Sequence, residues 1–278
     1  NDNQFATHRI MGAGHPRMIR WLAELCLSCH LGNDNQFATH RIMGAGHPRM
    51  IRWLAELCLS CHLGNDNQFA THRIMGAGHP RMSFELDTFT VLQPAHYNVD
   101  DDYRKRKGEI PDPLMWAVGQ VQTAKRAIAL MNSHWFKTAS LVPEPSFFDC
   151  HACHHPMNDM RWQPGDMQGA LPPGSIRLND ASLTMLRIIA QRKTPELAAE
   201  LINGTRNWHK ASLSSRESVI SAGAALDNLL DRIETALKKT TFSKADLQGI
   251  ANDLFEQAGK GEYRDYTSAE QAVMAVDM

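Results

Sequence analysis

Apolar residues recur every three or four positions in several parts of the chain, which predicts amphipathic helices. Upstream, this spacing runs from about Pro113 to Trp135, and Pro113 suits a first helical turn. Downstream, four or five further segments follow helix-start residues, namely Asn179, Thr194, Ser214, Ser243 and Thr267. Short links between such segments are typical of antiparallel helices. We therefore expect an all-α chain that ends in a helical bundle, with the apolar stripes forming its core.

The composition changes near Pro172. All six cysteines and 13 of the 14 histidines lie upstream, and His209 alone lies downstream. The upstream part has short helical pieces and long connections, so its own apolar core would not easily offset the entropy of ordering the chain. We predict two domains, a loop-rich domain over residues 1–171 and the bundle over residues 172–278.

The six cysteines fall in three Cys-x-x-Cys-His runs, at residues 26–30, 58–62 and 150–154. This spacing is the attachment signature of c-type haem. In that chemistry the paired thiols bond to one porphyrin and the following histidine binds the iron. The sequence therefore predicts thioether bonds at Cys26, Cys29, Cys58, Cys61, Cys150 and Cys153 and iron ligands at His30, His62 and His154.

Paired cysteines also occur in other kinds of site. A structural zinc site needs four converging ligands, and pairing two of the runs could provide them, but the histidine that follows each run would then be a coincidence. A redox dithiol normally occurs once beside a strand–helix pattern. Disulfides form in oxidising compartments, yet they do not explain the histidines. Haem accounts for every run.

The first 82 residues contain an exact repeat. Residues 1–18, 33–50 and 65–82 are identical, and residues 19–32 recur unchanged at 51–64, which gives a period of 32 residues. Natural repeat arrays usually have atypical end units, because their ends face water. Identical copies are typical of a very recent duplication, an engineered array or a sequence-assembly artefact, and we favour the last two. Copy three continues into unrepeated sequence, so the chemistry of one unit is better founded than the number of units.

The second axial ligand of each iron separates electron transfer from small-molecule activation. We expect His79, with its repeat copies His47 and His15, in this role, because neighbouring glycines let the backbone approach a flat cofactor. His134 is the other main candidate, since Trp135 and Phe136 suit a porphyrin. Further candidates are His72, with its copies His40 and His8, and His96. We expect His209 on the surface and His151 facing solvent or backbone.

Four stretches resemble multihaem c-type cytochromes, the broad group that includes nitrifier tetrahaem carriers and hydroxylamine oxidoreductase. They are Cys58-Leu59-Ser60-Cys61-His62, residues 72–84, His134-Trp135-Phe136, and residues 148–156, within roughly residues 50–165. The resemblance implies bis-histidine haems in close pairs that pass electrons along the chain. Such proteins usually carry more than three haems, so we expect sequence missing upstream.

Electron transfer is the function that we expect, because abundant histidines would close both axial positions of each iron. The protein would then be a carrier rather than an enzyme, with other redox proteins as partners. One alternative is an oxidoreductase with an open haem for a small nitrogen or sulfur compound, with Tyr97, Tyr103 or residues 100–102 as acid–base groups, although residues 100–107 more simply form a charged surface loop. Another alternative is a subunit of a cytochrome filament, which the repeat would favour if it is authentic.

The charge balance and the attachment chemistry narrow the setting. The chain has 29 basic and 30 acidic residues, which argues against nucleic acid as a partner. No apolar stretch has the length of a membrane span. Haem is attached to such motifs outside the cytoplasm, so we expect a periplasmic or extracellular protein. Its signal sequence would have been removed or would lie upstream, and oligomerisation stays open.

Overall fold

The computed structural model describes residues 48–92, 100–107, 111–137, 143–155, 165–169 and 171–276. The first cysteine run, with Cys26, Cys29 and His30, lies outside these residues. So do the predicted ligands His8, His15, His40, His47 and His96 and the acid–base candidate Tyr97.

The described part of the chain is helical with irregular connections, which confirms the all-α expectation. Its helices are α1 (Pro48–His62), α2 (His72–Gly76), α3 (Leu86–Leu92), α4 (Asp101–Lys107), α5 (Asp112–Met131), α6 (His134–Lys137), α7 (Ala181–Lys193), α8 (Pro195–Ala211), α9 (Arg216–Leu237), α10 (Lys244–Gly259) and α11 (Tyr266–Val276). Two 3₁₀ turns, Pro145–Phe147 and Cys150–Ala152, precede the bundle. Among the described helices, none combines the length and the apolar character needed to cross a bilayer.

Helix α5 lies at the centre of the fold. It packs against α1 and α3 on one side and against α7 and α9 on the other. Trp116, Val118 and Val121 are fully buried, because neighbours cover the helix nearly all round. A side chain at Gly119 would place its Cβ only 2.6 Å from the Cβ of Leu86, so this glycine permits the close approach of α3.

The first described cysteine run belongs to α1, which is held by a small apolar cluster. Ile51, Ala55 and Leu59 are four residues apart, so they share one helix face and pack with Leu86 and Val118. Full burial of an aliphatic side chain of this size stabilises the fold by about 1.5–3 kcal/mol. The cluster therefore fixes the end of α1, where the cysteines lie, against α5.

The bundle consists of α7 to α11. Helix α7 packs against α5, α8, α9, α10 and α11, and its Leu186 and Ile189 are completely buried. The same apolar cluster contains Trp116 of α5 and Leu230 of α9. The core is therefore continuous across Pro172, and α5 packs with the bundle although it precedes the predicted boundary. The division at residue 172 stays a prediction.

Several predicted element bounds were wrong. The upstream helix does not continue to Trp135, since α5 ends at Met131 and Ser133 starts a new turn by accepting the N–H of Trp135 (3.3 Å). Residues Asp101–Lys107 form a charged helix rather than a loop, and its residues Asp101, Asp102, Arg104 and Lys105 are exposed. Charged side chains favour solvent exposure in a helix and in a loop alike. The spacing of apolar residues therefore could not distinguish the two conformations.

Three predicted helix starts shift by one or two residues. Asp180 rather than Asn179 occupies the cap position of α7. Ser215 rather than Ser214 caps α9, and its Oγ accepts the N–H of Ser218 at 3.1 Å. Asp265 rather than Thr267 caps α11, and its Oδ1 accepts the N–H of Ser268 at 2.7 Å. Neighbouring residues with similar capping ability leave the exact helix start undetermined in the sequence. Tertiary packing selects one of them. By contrast, Ser243 caps α10 as predicted.

A substitution in the centre of the bundle tests this core. Leu230 is completely buried, so Leu230→Ala should lower the free energy of unfolding by about 2–5 kcal/mol through lost contacts and a cavity. Leu213 is 48% exposed, and Leu213→Ala should change it by less than about 0.5 kcal/mol. Urea unfolding followed by circular dichroism measures both. Equal losses for the two variants would contradict the packing of α9.

Candidate functional site

Cys58, Cys61 and His62 lie in the last turn of α1. Three positions separate the cysteines, so both side chains lie on the same helix face. Neither thiol forms a disulfide, and both cysteines are partly buried. The helix therefore carries two thiols on one face with an imidazole directly after them.

Two phenylalanines surround His62. The ring of Phe84 lies 5.2 Å from the imidazole at an angle of 30°, and the ring of Phe89 lies 5.1 Å away, nearly perpendicular. Phe84 is buried in the cluster that holds α1. Two aromatic walls restrict the rotation of His62, so its orientation is set before any ligand binds.

Burial also changes the chemistry of Cys58. Removal from water raises the pKa of its thiol to about 11, and the neighbouring Cys61 adds to the effect. The backbone hydrogen bond opposes this shift but is weaker. Cys58 is therefore held as a neutral thiol at neutral pH.

The second described run lies on the turn Cys150–Ala152. Cys150, Cys153 and His154 are all exposed, and both thiols are free. The turn closes through the N–H of His154, which donates to the carbonyl of Cys150 at 2.8 Å. Asp149 caps the turn, since its Oδ1 accepts the N–H of His151 at 2.9 Å.

Asp149 also joins this turn to the bundle. Its carboxylate forms a buried ion pair with Arg177, and the backbones of the same two residues bond at 2.8 Å. An antiparallel bridge between Phe148 and Leu178 continues the contact. Burial and the nearby Asp265 raise the pKa of the Asp149 carboxyl, and Arg177 opposes the shift. Arg177 is therefore the group that favours a charged cap beneath the second run.

Arg81 lies near the second run from another side. Its guanidinium pairs with Glu270 of α11 and lies 5.1 Å from the centre of the Tyr266 ring. Its charge opposes the increase that burial causes in the pKa of Cys150. Residues 81–83, which follow the predicted ligand His79, are thereby held against α11.

The structure places the predicted second ligands differently. The His72 ring centre lies 5.9 Å from that of His154, at an interplanar angle of 28°. His79 is partly buried, and its Nδ1 lies 2.7 Å from the carbonyl oxygen of Pro80. His134 is exposed beside Trp135, with ring centres 4.2 Å apart. Of these three, His72 is the one that the described contacts bring to a cysteine run.

The hydrogen bond of His79 suits a metal ligand. When Nδ1 carries the proton and donates to Pro80, the lone pair is on Nε2. Histidines that bind metals usually have their other ring nitrogen fixed in this way. His79 therefore has the required tautomer available, although the contacts described for it do not include a cysteine run.

An aromatic cluster lies between the two runs. The Phe69 ring contacts Trp135 at 5.9 Å and Phe147 at 4.9 Å, and Phe147 contacts Phe136 at 5.3 Å. The indole N–H of Trp135 donates to the carbonyl of Asn65 at 2.9 Å. The segments that follow the first run and precede the second are therefore packed on the same rings.

Sequence reasoning missed Phe69, Phe147, Glu144, Asp149 and Arg177. One local signal was present, because an aspartate directly before a short turn is a typical cap. The others act through partners far along the chain, and spacing alone gives no access to such contacts. Trp135 and Phe136 were predicted to contact porphyrin, which no described contact tests.

His209 was wrongly predicted to lie on the surface. It is completely buried, and its Nε2 lies 2.9 Å from Oδ2 of Asp180, which also accepts a bond from Gln168 at 2.7 Å. The bond joins the end of α8 to the start of α7. His151 is partly buried with its ring 6.1 Å from that of His155, and its backbone N–H binds Asp149.

No protein-family model, curated protein or solved structure matches this chain. The resemblance to multihaem cytochromes therefore stays a prediction.

The raised pKa of Cys58 predicts slow alkylation in haem-free protein. Iodoacetamide reacts with the thiolate, so at about pH 8 Cys58 should react roughly a hundredfold more slowly than a thiol of pKa 9.0. Its rate should continue to rise up to about pH 11. Mass spectrometry of the alkylated peptide measures this, and denaturant should restore ordinary reactivity. A rate that levels off near pH 9 in the folded protein would contradict the burial of this thiol.

The tautomer of His79 leads to a spectroscopic prediction. In protein whose repeat copies His15 and His47 are already alanine, His79→Ala should leave one additional iron high-spin, because that iron loses an axial ligand. Electron paramagnetic resonance of the oxidised protein counts the high-spin irons. An unchanged low-spin spectrum would remove His79 from the ligands.

Proposed function

We propose that the chain is a multihaem c-type cytochrome that transfers electrons between redox partners through covalently bound bis-histidine haems. The observation that carries the proposal is the arrangement of thiols and histidine in the two described cysteine runs. Each presents two thiols that form no disulfide on one helical turn, with a histidine directly after them. These are the groups that thioether attachment and iron ligation require.

The donor geometry favours haem over zinc. A zinc ion binds four donors that converge within about 2.0–2.3 Å of one point. In the part of the chain that the structure describes, no three His, Cys, Asp or Glu side chains form such a group. Haem does not need this convergence, because the sulfurs bond to the porphyrin edge and only imidazole reaches the iron. The residues present therefore fit haem.

The protein's own residues would hold the haem and set its accessibility. Cys58 and Cys61 would fix one porphyrin edge, and Cys150 and Cys153 another. His62 would hold the iron, and Phe84 and Phe89 would restrict the rotation of its imidazole. When bound, haem iron supplies a reversible one-electron change.

Histidines on both sides of each iron would leave no position for a substrate, so a carrier fits better than an enzyme. Some of the acid–base candidates of the enzyme alternative lie on α4. Asp101 and Asp102 are exposed on α4, where Asp101 pairs with Arg104 at 3.5 Å. The partners would be other redox proteins.

A haem-rich front part also accounts for the organisation of the chain. Segments 63–85 and 143–155 are mostly irregular, and a porphyrin would supply the apolar surface that they lack. Thioether attachment takes place outside the cytoplasm, so the protein would act in the periplasm or outside the cell. Subunit assembly is compatible with this function.

Removal of each cysteine pair tests the proposal. Cys58→Ser with Cys61→Ser, and Cys150→Ser with Cys153→Ser, should each lower the intact mass by one haem, because neither porphyrin would have a thioether bond. Ser60→Ala, inside the first run, is the matched control and should retain every haem. The ferrous protein should bind little carbon monoxide. Zinc without haem in the purified protein would overturn the proposal, and a wild-type iron that binds carbon monoxide stoichiometrically would favour the enzyme.

A further inference from the structure

We propose that His72 and His154 bind the same iron from opposite sides, namely the iron of the haem attached at Cys150 and Cys153. The inference rests on the proposed function and makes it specific. It assigns a second ligand to one centre and takes that ligand from a different part of the chain, 82 residues upstream.

The separation of the two rings is the first argument. An imidazole nitrogen lies roughly 2 Å from the metal that it binds, and the ring centre lies about 1 Å further, so two opposed imidazoles have centres about 6 Å apart. The observed value for His72 and His154 is 5.9 Å. The small interplanar angle of 28° is compatible with nearly parallel axial rings. Rotation about the side-chain bonds of the two exposed histidines would then turn one nitrogen of each ring towards a shared iron.

Burial does not account for this approach. Both imidazoles are exposed, so no apolar core forces them together. Each ring is polar and would be well solvated if it pointed elsewhere. The two backbones are instead positioned by defined hydrogen bonds, one set for each histidine.

Glu144 holds the backbone of His72. Its Oε1 accepts the N–H of His72 at 2.7 Å and also the N–H and hydroxyl of Ser146, at 3.2 and 2.9 Å. Thr71 completes the start of α2, since its Oγ1 accepts the N–H of Ile74 at 3.3 Å. A single carboxylate therefore connects the start of α2 to the segment that leads into the second run.

Asp149 holds the backbone on the His154 side. It caps the turn that contains Cys150 and is anchored to the bundle by Arg177. The contact between Phe69 and Phe147 lies close to both anchors along the chain. Both histidines are thus carried by segments whose relative position is fixed through several bonds.

The assignment joins the two centres. His62 would bind the iron of the haem at Cys58 and Cys61, and His72 would bind the iron of the haem at Cys150 and Cys153. The short segment 62–72 would then carry ligands of both haems. His72 also belongs to the repeat, with equivalents at His8 and His40. Substitution of His72 alone could be masked by either equivalent, so the test removes them.

The test uses full-length holoprotein that carries His8→Ala and His40→Ala. Adding His72→Ala should create one further iron that binds carbon monoxide and is high-spin, with the haem count by intact mass unchanged. Adding His72→Met instead should keep that iron six-coordinate and raise the potential of one haem, as methionine ligation does. His151→Ala, in the same loop as His154, is the matched control and should leave the spectra unchanged.

A second background assigns the haem. When Cys150→Ser and Cys153→Ser have removed the second haem, His72→Ala should cause no further spectral change, because its iron is absent. A new open iron in that background would assign His72 to another centre and overturn the inference. Haems that all stay low-spin after His72→Ala would also overturn it while leaving the proposed function intact. Protein without any haem by mass would instead refute the proposed function itself.

Discussion

The packing of α5 between the front segments and the bundle is the constraint on which the structure depends. Val118 packs against α1 and α3, and Trp116 and Val121 belong to the larger core that contains α7 and α9. Most of the buried side chains of α5 are apolar, and the buried amides of Gln120 and Gln122 donate to Gln271 and Glu234. Because α1 ends in the first described cysteine run, the position of that run follows directly from this packing.

The second run depends on a different interaction. Its turn is exposed and contributes little to the core, so Asp149 and Arg177 fix it to the bundle by a buried ion pair. Removing one member of such a pair would leave the other charge buried without compensation. The bridge from Phe148 to Leu178 aligns the same two segments. The turn that carries the exposed thiols is therefore held rigidly, and the thiols remain accessible to solvent.

The helices and the cysteine runs could be predicted because their signals are local. Ser243 and the apolar residues that follow it predicted a helix start, and the structure has that start. The shifted start at Ser215 and the end of α5 at Met131 were missed, because neighbouring residues compete for the same role. The burial of His209 was missed because its partner, Asp180, lies 29 residues away, just before the start of another helix.

The sequence by itself determined the helical class and the spacing of two thiols and a histidine, since both depend on residues a few positions apart. Only the tertiary structure decided which distant side chains meet, as His72 and His154 do. It also decided which polar groups are buried. These outcomes depend on how α5, the bundle and the front segments pack together. A linear pattern does not give the distances between residues that are far apart in the sequence.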